Sequence, residues 1–94
     1  MKVYRYEHND GGGPFCTFNG LVRGSLDNLI VDNDCLYGCE SIDKLNEYFD
    51  YQKNMIENCK IFVYNIPKED VYISKHQVIF PKKYYKNKKE YKGQ

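Results

Sequence analysis

The chain has no tryptophan, no long hydrophobic run and almost no net charge. No stretch approaches the roughly 18 apolar residues that a membrane span needs, and Met1-Lys2-Val3-Tyr4 opens into a strand-like run and not an apolar signal segment. No membrane partner is therefore expected. The expected compartment is the cytoplasm, where thiols stay reduced. Cys16, Cys35, Cys39 and Cys59 form no CxxC pair. Small thiols packed as apolar residues account for them more simply than a zinc site does. Gly11-Gly12-Gly13 has no Lys-Ser/Thr after it, which excludes a P-loop and leaves a flexible, hairpin-like loop. The acids Asp27, Asp32, Asp34 and Glu40 lack the glycine and glutamate spacing of a calcium-binding EF-hand. No metal ligand set and no cofactor are assigned.

What is present is a short, tyrosine-rich chain with its charge divided. At 94 residues it fits one domain, and a chain of this size buries only about 60–65 % of its unfolded surface. Ten Tyr and five Phe imply a core of aromatic plates with hydroxyl edges reaching water or a partner. Residues 81–94 hold six lysines against Glu90, a local charge of +5, whereas residues 1–80 carry −4. An acidic body and a basic end suggest an interaction tail or a self-neutralising arm. The expected organisation is one domain over residues 1–80 followed by a basic Tyr/Lys-rich tail over 81–94.

Along the chain, Lys2 to His8 alternates as a strand does, and Asn9-Asp10-Gly11-Gly12-Gly13-Pro14 breaks it. Phe15 to Phe18 reads as a short strand, Leu21 to Ile30 as a short helix, and Cys35 to Cys39 as extended. Ser41 is a natural N-cap, with Asp43 well placed in the first turn. Apolar residues at Ile42, Leu45, Tyr48, Phe49, Met55, Ile56 and Cys59 fall on one stripe. That period predicts one long amphipathic helix over about 42–58. Lys60 to Ile66 is dense in β-formers and reads as a central strand. Val71-Tyr72-Ile73 and Val78-Ile79-Phe80 follow as two more, closed by Pro81. The expected fold is α+β, a small and mostly antiparallel sheet with the long helix packed on it.

Two constellations carry possible chemistry. Cys39, just ahead of a helix start, is where a helix dipole would lower a thiol pKa, although a cysteine of the core is the plainer reading. In the tail, Lys82, Lys83, Tyr84, Tyr85, Lys86, Lys88 and Lys89 interleave cations with rings. Lysine neutralises phosphate and tyrosine stacks on bases, so sequence-blind nucleic-acid contact is one expectation. A disordered, solubilising end is the other.

The order Val3-Tyr4-Arg5, Gly13-Pro14-Phe15, Tyr37-Gly38-Cys39, the helix, KIFVYNIP and His76-Gln77-Val78-Ile79-Phe80 resembles a family of short phage and prophage proteins. These open with a Tyr-Arg-x-Glu strand and a Gly-Pro turn, and the similarity spans about Lys2 to Phe80. The arrangement is also similar to a stripped ADP-ribosyltransferase-type fold. That resemblance implies that Arg5 grips NAD phosphates, Tyr37 frames nicotinamide and Gln77 stands where an acid orients the ribose. Gln77 carries no charge to stabilise an oxocarbenium ion, and Cys39 stands where a serine belongs. The resemblance thus implies a binding derivative without catalysis.

The leading expectation is a non-enzymatic phage or mobile-element accessory protein acting in the bacterial host cytoplasm. It would bind a host macromolecule, such as a defence-system protein, in the manner of an anti-CRISPR inhibitor. The alternatives are an NAD or ADP-ribose binder using Arg5, Tyr37 and Gln77, and a nucleic-acid binder acting through the tail. The expected assembly state is a monomer or a homodimer.

Overall fold

The computed structural model describes residues 1–14 and 34–92. The strand expected at Phe15 to Phe18 and the helix expected at Leu21 to Ile30 lie outside the described residues, as do Cys16, Asp27 and Asp32. Among the described residues, six strands form two three-stranded sheets. β1 (Lys2–Glu7), β3 (Lys60–Asn65) and β6 (Lys88–Glu90) make the first, in the order β1-β3-β6. β2 (Cys35–Gly38), β5 (Val78–Pro81) and β4 (Tyr72–Ile73) make the second, in the order β2-β5-β4. Every ladder pairing is antiparallel. The sheets meet at a bridge where Tyr4 and Cys39 exchange N–H···O=C bonds of 2.7 and 2.8 Å.

Strand alternation divides the interior in two. One face of β1 and β3 supplies Val3 and Tyr64, which pack with Ile66 against Leu36, Val78 and Phe80 of the second sheet. The other face supplies Tyr4, Tyr6 and Ile61, covered by Cys39, Leu45 and Phe49. Fully burying a side chain of this size contributes about 1.5–3 kcal/mol. The first sheet thus has the second sheet on one side and the helix on the other.

The long helix is the main correction. The α-helix α1 runs only from Ile42–Tyr48, capped as expected by the Ser41 hydroxyl, which accepts from the Lys44 N–H at 3.1 Å. Phe49 leaves helical geometry, and a separate 3-10 turn follows at Lys53–Ile56. Two causes act together. Tyr48-Phe49-Asp50-Tyr51 is a run of weak helix formers. A straight helix over 42–58 would also extend about 25 Å, beyond strands of four to six residues. Breaking the chain after Phe49 lets Phe49 and Ile56 reach the same cluster. Among the described residues the architecture is therefore two small antiparallel sheets with one short α-helix.

The C-terminal stretch lies against the body. β5 runs through Pro81, a 3-10 turn spans Lys82–Tyr84, and β6 pairs with β3 with Lys88 opposite Tyr64. Tyr91 donates its N–H to Ile61 O at 2.8 Å. β6 leaves β3 a central strand, as its β-forming composition suggests.

Candidate functional site

β1 places Arg5 and Glu7 on its inward face, where they are only 6 % and 2 % exposed. Burying such charges is costly unless they are paired, and here the charges of Arg5 and Glu7 face each other. Arg5 Nε donates to Glu7 Oε2 at 2.9 Å, and Arg5 Nη1 donates to the Tyr37 carbonyl at 3.2 Å. The Tyr64 hydroxyl also donates to Glu7 Oε2, and Lys88 Nζ donates to Oε1 at 2.5 Å. The Lys88 ammonium stands 3.4 Å from the centre of the Tyr85 ring and 4.7 Å from that of Phe62. Burial, and then the Glu7 charge, push the Tyr64 hydroxyl well above the usual phenol range.

The glycine run closes this cluster from one side. Gly11 to Pro14 are buried in a tight turn, in place of the flexible loop expected. His8 N–H donates to Gly12 O at 2.8 Å, Gly11 N–H returns to His8 O at 3.0 Å, and Gly11 takes a φ of 86°. A Cβ at Gly13 would stand 3.1 Å from Arg5 Nη1, so the turn lies directly on the guanidinium. The arrangement is a polar core, two cations around one buried carboxylate, that ties β1, β2, β3 and β6 together.

The nucleotide-site residues of the sequence reading are thus placed differently from one another. Arg5 meets Tyr37 through the Tyr37 backbone. The Tyr37 ring stands on the outer face of β2, between inward Leu36 and Gly38. Gln77 lies in the turn from β4 to β5, where Ser74 and Gln77 bond to each other. It lines a groove of about 510 Å³ between α1 and that turn, together with Glu47, Tyr51, Ile73, Lys75 and His76. Arg5 and Tyr37 are not among its lining residues.

The tail residues divide by face. Tyr84 and Tyr85 turn inward onto the core shared by the two sheets. The Tyr84 hydroxyl donates to the Asp70 carboxylate, a bond that raises its pKa. Lys82 donates its backbone N–H to Asp34 O at 2.9 Å, and the Lys83 ammonium sits 5.3 Å from the centre of the Tyr84 ring. Lys88 is committed to Glu7, whereas Lys83, Lys86 and Lys89 are exposed. Among the described residues, no group of three or more His, Cys, Asp or Glu could hold a metal ion.

The surface that stands out is the outer face of the second sheet. Tyr37 of β2 is opposite Ile79 of β5, and Ile79 is opposite Tyr72 of β4. Strand alternation puts these three on one face, away from buried Leu36, Val78 and Phe80. Tyr37 is 39 % exposed and Tyr72 67 %, so the row presents two aromatic rings around an isoleucine. Ile73 at the same edge is 54 % exposed, and Tyr51 across the groove is 96 % exposed. Tyr72 and Ile79 escaped the sequence reading. Each belongs to a legible strand, but only the register joins them to Tyr37.

No helix among the described residues is long and apolar enough to cross a membrane. No curated protein and no solved structure matches the chain. The family model described as bacteriophage T4 Y00F protein matches residues 1–93, so the phage resemblance read in the first strand and the Gly-Pro turn holds, and the chain belongs to that family.

Proposed function

We propose that the chain is a non-enzymatic phage accessory protein that binds and modulates a host protein through the Tyr37–Ile79–Tyr72 row, with inhibition of a host defence system as its specific role. The single observation that carries the reading is this exposed cross-strand row on a small domain. Tyrosine supplies large, rigid contact area and is enriched among residues that dominate binding energy. Exposed apolar surface of this kind marks interaction sites. The polar cluster supports the same reading from the other side, because Arg5, Glu7 and Lys88 are committed to one another.

The NAD or ADP-ribose alternative has weaker support: the guanidinium of Arg5 is enclosed by Glu7, the Tyr37 carbonyl and Gly13. The tail-borne nucleic-acid alternative retains exposed Lys83, Lys86 and Lys89, but Tyr84 and Tyr85 face the core.

The test is affinity capture from host lysate with wild-type chain and with a Tyr37→Ala/Tyr72→Ala variant whose thermal unfolding matches wild type. One protein should be captured by wild type and lost from the variant, since truncating a central interface tyrosine costs about 2 kcal/mol or more. Equal capture by both forms would sink the assignment of this face.

A further inference from the structure

We propose that β4 is a self-association edge, on which a second copy of this chain adds antiparallel about a two-fold axis at Ile73. Among the described residues, β4 is the outer strand of its sheet. Ser74 N–H bonds to Gln77 O at 2.8 Å, so in the alternating ladder Tyr72 turns its backbone toward Ile79 of β5. Ile73 then turns its N–H and C=O outward, along the open side. Two copies meeting edge to edge place Ile73 opposite Ile73, each donating its N–H to the other's carbonyl.

The flanking charges select a second copy as occupant. The segment Glu69-Asp70-Val71-Tyr72-Ile73-Ser74-Lys75-His76 is acidic at one end, apolar in the middle and basic at the other. An antiparallel two-fold arrangement brings Glu69 of one copy toward Lys75 and His76 of the other, at both ends of the contact, while Asp70 stays with the Tyr84 hydroxyl. Glu69, Lys75 and His76 are exposed. A net charge of +1 per chain sets little long-range repulsion against pairing. β4 carries neither the lysine nor the proline that commonly protects an edge strand, and its protection lies in its shortness, two residues. Pairing joins the two sheets into one of six strands. The Tyr37–Ile79–Tyr72 rows of the two copies then lie on one face, offset along the strands, with Tyr72 of each opposite Ser74 of the other. A contact built on so short a strand buries little area, so the dimer is weak and concentration-dependent.

The test needs no host partner, and its outcome is independent of whether the outer face binds one. Sedimentation of the full chain would be followed from about 10 μM to about 1 mM, the range a small interface calls for. The wild type should pass from monomer to dimer within it. Ile73→Lys, at an exposed position, should weaken the dimer by about tenfold or more while leaving thermal unfolding unchanged. Glu69→Lys or Lys75→Glu alone should weaken it severalfold, and the double variant Glu69→Lys/Lys75→Glu should recover to within about threefold of wild type. A chain that stays monomeric throughout overturns the proposal. So does a dimer indifferent to Ile73→Lys, or a double charge reversal that restores nothing.

Discussion

Cys39 shows how burial decides a side chain's chemistry against its position in sequence. It stands ahead of α1, where the helix dipole favours a thiolate. It is nevertheless 3 % exposed, and its Sγ lies 3.8 Å from the His76 carbonyl. Burial pushes its pKa up from 9.0 to about 11, with Lys44 opposing and Glu40 adding. The thiol is therefore protonated at neutral pH and should resist alkylation in the folded chain. The linkage follows from the direction of the shift. An unfolded chain releases this proton near pH 9 and the folded chain near 11, so the unfolded state binds fewer protons between them. The Cys39 contribution to stability is fully present below about pH 9 and declines as the pH rises to about 11, by on the order of 1–3 kcal/mol. Urea unfolding at a series of pH values should show this decline, and Cys39→Ala should flatten it. Tyr64, also held above its usual range, adds its own decline from about pH 10 upward, so the Cys39 share is read between about pH 9 and 10.

At the scale of elements, the joint between the sheets depends on a missing side chain. β2 approaches β1 so closely that a Cβ on Gly38 would stand 2.6 Å from Tyr4 O and 2.7 Å from Val3 Cγ1. Neither atom can withdraw easily, since Tyr4 is held by Cys39 and Val3 is wholly buried. Gly38→Ala should therefore destabilise the chain by about 1–3 kcal/mol, the cost of overpacking a filled core. A lowered urea midpoint with an unchanged m-value would bear this out, and an unchanged midpoint would show that the joint yields.

At the scale of the whole molecule, the C-terminal stretch completes the fold. Removing residues 82–94 takes away β6, the two inward tyrosines and the Lys88 ammonium. Glu7 would lose a charged partner in the interior, and breaking a buried pair costs about 3–5 kcal/mol by itself. A domain this small has little reserve, so the truncated chain should lose its cooperative thermal transition. By contrast, Lys83→Gln/Lys86→Gln/Lys89→Gln changes only exposed cations and should melt within about 0.5 kcal/mol of wild type. Calorimetry of the two variants separates a structural end from a dispensable one. The triple variant also isolates any salt-dependent nucleic-acid binding from loss of the fold.

What the sequence determined by itself was local. Alternation marked β1, a run of β-formers marked β3, and Ser41 marked the start of α1. Each of these is encoded within a few consecutive residues. The tertiary structure decided where α1 ends, because a continuous apolar stripe is satisfied equally by one helix or by two turns bent around one cluster. It also decided that Glu7, Tyr64 and Lys88 converge across 81 residues of chain, and that Tyr37, Ile79 and Tyr72 share a face. Strand partners and register are long-range choices, set by which faces can be buried together, and no local pattern records them.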